Sequence, residues 1–149
     1  MFSSSENIKK LRELVEELPI RDFETFEMVE ILKLTLEHTT DGYWDWNMVS
    51  NYEYLSPGFK KQLGYNDDEM ENHPSSWQKL IFKEDLEKME DELNKHIESK
   101  GKEQFKVIAR FTHKSGDVVE ILCRGSVIRW DDKGNPVRMI GTHIDITNL

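Results

Sequence analysis

Ile8, Leu11, Val15 and Leu18 alternate in steps of three and four along an otherwise charged stretch, which predicts an amphipathic helix over residues 3–18. Ser3 stands three positions before Glu6 with capping-box spacing, and Pro19 ends the run. The stripe is an a/d seam two heptads long, narrow enough to suit a partner helix. A helix this short is marginal alone in water, so the seam packs either on its own domain or on a second copy of the chain. A second helix is expected from Asp22, a good N-cap, to Glu37, with Phe26, Val29, Leu32 and Leu36 on one face.

Beyond Thr39-Thr40-Asp41-Gly42 the period changes from helical to alternating. Tyr43, Trp44, Trp46, Tyr52 and Tyr54 are strand formers, and Asn47 to Asn51 supply turn chemistry between them, which predicts a hairpin of 43–47 with 52–55. Ser56-Pro57 caps a short helix carrying Phe59 and Leu63, with Gly64 as its stop. Residues 67–72 read as a further helical turn closed by His73-Pro74. From Lys83 to Lys100 the apolar residues Leu86, Met89, Leu93 and Ile97 mark one face of the clearest helix, with Gly101 just past its end. Three strands follow, 104–112, 118–130 and 137–146, joined by the turns Lys114-Ser115-Gly116-Asp117 and Asp131 to Asn135. Strands joined this tightly form an antiparallel meander, so the fold class is α+β.

Twenty Lys and Arg against 29 Asp and Glu give a net charge of −9, the wrong sign for following a phosphate backbone or an anionic bilayer. Nucleic acid is not an expected partner. Uncharged stretches such as Trp46–Tyr52 and Asn72–Gln78 fall far short of the roughly 20 apolar residues that span a membrane. The N-terminus lacks the basic start and apolar run of a secretory signal, and the single cysteine, Cys123, excludes an intrachain disulfide. These features point to the cytoplasm. No pair of histidines has a metal-ligand spacing such as H-x-x-x-H, so no metal site is expected. The chain also lacks G-x-S-x-G, H-E-x-x-H, a P-loop and a Gly-rich dinucleotide turn, which argues against an enzyme.

Asp41-Gly42-Tyr43-Trp44-Asp45-Trp46-Asn47, Tyr54-Leu55-Ser56-Pro57, Leu63-Gly64-Tyr65, Lys114-Ser115-Gly116-Asp117 and Gly141-Thr142-His143-Ile144-Asp145-Ile146-Thr147 stand in an order that resembles PAS domains. The likeness is to the subclass with a W-D-W opening strand and a closing PAC motif, and it covers about residues 36–147. Phe82-Lys83-Glu84-Asp85 departs from the H-P-D-D tetrad of many relatives and keeps only its final acid. The resemblance implies a five-stranded antiparallel sheet with helices over one face, preceded here by the N-terminal amphipathic helices. It divides the chain into flanking helices at 1–38, a possible dimerisation segment, and a PAS sensor domain at 39–149. It further implies a sensory or dimerising module controlling an output domain, such as a histidine kinase of a two-component system or a cyclic-dinucleotide enzyme. The chain stops two residues after Asp145-Ile146-Thr147, where relatives continue into a signalling helix, so the expectation is a sensor module separated from its output.

The space between sheet and helices in this family is either filled or occupied by a ligand. A flavin photoadduct needs a thiol ahead of the long helix, and residues 67–76 hold none. Cys123 reads instead as a small core residue of a strand. Haem needs an axial ligand on the long helix; His96 lies on it, but near the end beside Lys95 and Glu98, where a solvated side chain is the expectation. Neither cofactor is expected. Trp44, Trp46, Tyr54, Phe59, Phe105 and Phe111 are candidates to line a small-molecule pocket, or else plain core. Arg124 is the charged candidate: facing inward it would select a carboxylate-bearing ligand, facing outward it would be solvated or form an ion pair with Glu120 or an adjacent strand. Asp145, Ile146 and Thr147 are the expected path of signal transmission, with Asp145 read as a local cap or a switch anchor. A homodimer held through Ile8, Leu11, Val15 and Leu18 belongs to the same reading. The alternative is a constitutive protein-interaction domain with no ligand.

Overall fold

A computed structural model describes residues 25–149, together with Lys9 and Glu13, both helical and exposed, in the N-terminal segment. The seam expected at Ile8, Leu11, Val15 and Leu18 lies outside the described residues. The chain divides into two compact units, Met1–Leu36 and Glu37–Leu149. Helix α1 spans Thr25–Thr39, and Val29 and Leu32 on its expected apolar face are 55% and 60% exposed.

In the second unit, strand β1 (Gly42–Asn47) turns through residues 48–52 into β2 (Glu53–Leu55), as the hairpin reading required. The turn is held by the Asn47 carboxamide oxygen, which accepts from the backbone N–H of Val49 and Ser50, local chemistry that Asn supplies well. Helix α2 (Pro57–Gln62) follows, with Pro57 in its first turn and the Ser56 hydroxyl accepting from Phe59 N–H. Gly64 leaves it at φ +89°, a conformation that costs glycine nothing. A 3₁₀ turn at Asp67–Glu69 is shorter than the helical turn read over 67–72, and a four-residue helix α3 (Ser75–Gln78) follows Pro74, unannounced in the sequence. Helix α4 (Lys83–Glu98) then leads to the meander β3 (Phe105–Thr112), β4 (Val118–Trp130) and β5 (Pro136–Asp145).

The five strands form one antiparallel sheet in the order β2-β1-β5-β4-β3, so the last strand inserts beside the first. Alternation decides which side chains face the helices. Phe105, Val107, Ala109 and Phe111 of β3 and Val119, Ile121, Cys123 and Val127 of β4 are buried on one face of the sheet. Met139 and His143 of β5, Trp44 of β1, and Glu53 and Leu55 of β2 join them. Helix α4 packs Met89 and His96 into this face, with Leu86 and Leu93 half-buried beside them. Asp85, the acid kept from the departed tetrad, fixes the start of α4 to the sheet edge: its carboxylate accepts from the backbone N–H, Nε and an Nη of Arg110 at 2.7, 2.8 and 3.0 Å. Among the described residues no helix is long and apolar enough to cross a membrane.

Candidate functional site

Between the inner face of the sheet and helices α3 and α4 lies a cavity of about 200 Å³. An engineered apolar cavity of about 150 Å³ takes a benzene molecule, so this space admits a single ring with a short substituent. Of the residues singled out in the sequence, Trp44, Trp46, Phe59, Phe105 and Phe111 stand around it. Leu86, Met89 and Leu93 of α4 form the opposite wall, with Met139 and Cys123 on the floor. The exposed lining residues Asn51, Gln78 and Glu90 mark the mouth, whereas Phe59, Phe111, Cys123 and His143 are buried at the inner end.

Two other candidates sit elsewhere. Tyr54 lies between the inward-facing Glu53 and Leu55 on β2, so its ring is on the outer face, 6.0 Å from that of Tyr43. Arg124 alternates with the buried Cys123 on β4 and is likewise on the outer face, exposed, with Lys106 and Thr142 as its cross-strand neighbours. The expectation of a carboxylate ligand held by Arg124 therefore lapses. Among the described residues no Lys or Arg lines the cavity.

An acid takes the place expected for the base. Glu53, directly opposite Trp46 in the β1–β2 register, is 4% exposed and lines the cavity. Its Oε2 accepts the indole N–H of Trp77 at 2.8 Å, and its other oxygen has no hydrogen bond among the described residues. Burial disfavours the charged carboxylate and pushes its pKa up to about 7, against the smaller opposing effect of the Trp77 bond. Asn72 locks the strand in place: its backbone carbonyl accepts from Glu53 N–H, and its side-chain oxygen accepts from Leu55 N–H at 3.1 Å.

His143 is the polar group of the inner end. Its ring stacks on Phe59 with centroids 4.4 Å apart, and Nδ1 lies 2.9 Å from Gln62 Oε1. Burial lowers its pKa to about 3, so the ring is neutral near pH 7 and its Nδ1 proton goes to the carboxamide oxygen. The Gln62 Nε2 behind it is buried without a hydrogen-bond partner among the described residues. His143 pairs with Gly42 and Glu53 with Trp46, four residues along β1, which separates the two polar groups by roughly 13 Å in the strand direction. Burial also pushes the Cys123 thiol well above its ordinary value, so it is a poor nucleophile.

His96, expected in solvent, is 1% exposed. The chain after α4 folds back over it, so Nδ1 meets Glu103 O at 2.6 Å while Nε2 accepts the Val127 N–H at 3.0 Å. Both ring nitrogens are engaged, and neither is available to an iron atom. At the end of β5, Asp145 makes a local cap: its Oδ1 accepts from Thr147 N–H at 2.9 Å and from the Thr147 hydroxyl. The same hydroxyl oxygen accepts Glu120 N–H at 3.0 Å, and Asp145 N–H donates to Asp41 Oδ2. Glu53, Trp77 and His143 were not among the pocket candidates; the one sequence signal for Glu53 was an acid placed between two strand-forming tyrosines.

The family whose model is described as the PAS fold matches residues 52–143. A sensory box histidine kinase/response regulator from Burkholderia thailandensis is 32% identical in a match covering 78% of this chain and 85% of that one, with a TM-score of 0.67. The N-terminal domain of a diguanylate cyclase with a PAS/PAC sensor from Marinobacter aquaeolei is 24% identical over 71% of this chain and 94% of its own, with a TM-score of 0.59. A PAS domain from Colwellia psychrerythraea is similar in fold at 17% identity, covering 82% and 99% of the two chains, with a TM-score of 0.62. No curated protein matches the chain.

Proposed function

Since the chain belongs to the PAS family and is a sensory signalling domain, we propose that it senses a small molecule held in the cavity between its sheet and α4. The observation that carries this reading is the cavity itself, apolar along its walls with a buried, partly unpaired carboxyl at Glu53. Gln62 Nε2 is the one buried side-chain polar atom left unpaired among the described residues, so the free oxygen of Glu53 is not sealed in the core but opens onto the cavity, where a donor can reach it. Occupancy would be relayed through β5, which joins the cavity residue His143 to Asp145, Ile146 and Thr147, toward an output domain. A histidine kinase or a cyclic-dinucleotide enzyme fits that role, by analogy with the Burkholderia and Marinobacter proteins. We place the protein in the cytoplasm, a reading that its single, buried and unpaired cysteine favours. The sensor lies in residues 39–149 and the segment 1–38 flanks it.

The domain works as a homodimer, with the seam Ile8, Leu11, Val15 and Leu18 as one contact. The outer sheet face offers a second: Ile108, Ile128 and Ile140 are 47%, 48% and 41% exposed on it. Its role is binding and not catalysis. Glu53 has the pKa of a general base, but the one cysteine is held protonated and the one buried imidazole of the cavity stands at its far end.

A thermal-shift screen of small ring compounds against the wild type and a cavity-filled variant, Cys123→Leu with Leu93→Phe, tests the reading. A ligand present at a hundred times its Kd stabilises the protein by about 2.7 kcal/mol, a shift of several degrees. Compounds that stabilise the wild type and leave the filled variant unmoved are expected. Equal shifts in both proteins, or none in either, would favour the constitutive interaction domain.

A further inference from the structure

We propose that the ligand is a small ring compound carrying an ammonium group, held with its nitrogen at Glu53 beside Trp46 and Trp77 and its ring toward Phe59 and Phe111. This rests on the ligand-sensing reading above and names the ligand class. Three observations converge on it. First, the charge of the site has one sign: Glu53 inside and Glu90 at the mouth are acids, and among the described residues no cation lines the cavity to pair with either. Second, Glu53 has one oxygen occupied by the Trp77 indole and the other free, which is the arrangement an N–H donor completes. Third, two indoles line the cavity next to that carboxyl, Trp46 as its cross-strand partner on β1 and Trp77 as its N–H donor from α3. An ammonium group at the free oxygen that reaches the face of the Trp46 ring gains from it as well.

The size and direction of the cavity set the rest. At about 200 Å³ it holds one ring and a two- or three-atom tail. The mouth lies beside Glu53, so such a ligand enters ring first and leaves its charged end at the carboxyl. The far end is aromatic, and His143 there is neutral, so it does not repel a cation. An ammonium group at Glu53 would also favour the ionised carboxylate, and affinity therefore rises with pH as the empty site's carboxyl loses its proton. Of the other titratable groups on the cavity, His143 stays neutral and Cys123 stays protonated across that range. Glu90 is the remaining acid, and Glu90→Gln isolates it.

Titration calorimetry with 2-phenylethylamine, its neutral isostere propylbenzene and the anion phenylacetate at pH 8 decides the matter. The amine is expected to bind at least tenfold more tightly than either of the others, and its affinity to fall several-fold at pH 6. Glu53→Gln keeps an acceptor for the Trp77 N–H and should weaken the amine at least tenfold while leaving propylbenzene within twofold. Trp46→Leu, an independent variant, should weaken the amine several-fold. Propylbenzene binding as tightly as the amine, or amine binding indifferent to Glu53→Gln, overturns the ammonium assignment and leaves a ligand-binding domain standing. Binding by none of the three overturns the assignment and counts against the sensing reading as well.

Discussion

Trp44 lies across Gly141: in the β1–β5 register the two are direct partners, and a Cβ placed on Gly141 would stand 2.1 Å from Trp44 Cζ2. Gly125, the β4 partner of Gly141, would present its Cβ 2.8 Å from the same indole. Two paired glycines thus form a flat shelf on which one wall of the cavity rests. Gly141→Ala forces the ring off this shelf and is expected to cost about 1–3 kcal/mol, as overpacking does. Urea denaturation checks it. Trp44→Phe in the same background should recover only part of the loss, because it relieves the ring contact but not the Arg124 carbonyl oxygen, which the new Cβ would meet at 2.3 Å.

Glu53 and His143 push the pH dependence of stability in opposite directions. The Glu53 carboxyl titrates at about 7 in the fold against 4.5 ordinarily, so the folded state holds the extra proton and stability falls as pH rises between those values. At 1.36 kcal/mol per unit the full effect is about 3 kcal/mol. His143 titrates at about 3 against 6.5, so the unfolded state holds the extra proton and stability rises with pH over that window, by up to about 5 kcal/mol. The two slopes oppose each other between pH 4.5 and 6.5, where the wild type should be nearly flat. Glu53→Gln should restore a rising slope there and add about 2–3 kcal/mol at pH 8. His143→Asn should leave a falling one. Chemical denaturation at half-unit steps of pH measures all three, and identical slopes would refute the assignment.

The Trp77 bond is the one influence that lowers the Glu53 pKa against burial. Trp77→Phe removes the donor and keeps a ring, so the carboxyl should titrate above its wild-type value of about 7. The side-chain carboxyl carbon of Glu53, followed by NMR through a pH titration, reports this directly. A downward shift would mean that water replaces the indole better than the indole serves.

The strand and turn chemistry was legible because each local choice agreed with the fold: Ser56-Pro57 capped its helix, and Phe105 to Phe111 alternated cleanly. What failed was parity where both faces of a strand are apolar. On β4 the outward Val118, Leu122 and Ile128 are as hydrophobic as the inward Val119, Ile121 and Val127, so alternation alone could not say which way Arg124 points. Strand β2 has three residues, too few to set its own parity, and the Trp46–Glu53 pairing that turns Tyr54 outward is a tertiary fact. His96 was misread because the Glu103 segment that buries it comes from beyond the helix.

His96 ties α4 to strand β4 through the bond from Val127 N–H and to the connecting segment through its bond to Glu103 O. His96→Phe keeps the bulk and removes both, stranding the buried Val127 N–H, whereas the carbonyl of exposed Glu103 can turn to water. A loss of about 1–3 kcal/mol is expected. His96→Gln, which can donate and accept, should recover part of it in the same denaturation experiment.

Asp85 and Arg110 should not be equivalent, although they form one ion pair. Asp85 is buried and accepts three bonds, one of them from the Arg110 backbone N–H, whereas the Arg110 side chain is 42% exposed and has the Phe82 ring beneath it at 4.6 Å. The guanidinium, with the backbone bond adding to it, holds the Asp85 carboxyl below its ordinary range despite burial. Asp85→Ala strands the backbone donor as well as the guanidinium and should cost about 2 kcal/mol. Arg110→Ala leaves Asp85 its backbone bond, and a half-exposed charge pair contributes little, so about 1 kcal/mol is expected. In the double mutant the losses should fall short of the sum, since both remove the same pair. Strict additivity in a double-mutant cycle would show that the guanidinium adds nothing to the hold and that the backbone bond to the Asp85 carboxylate carries it alone.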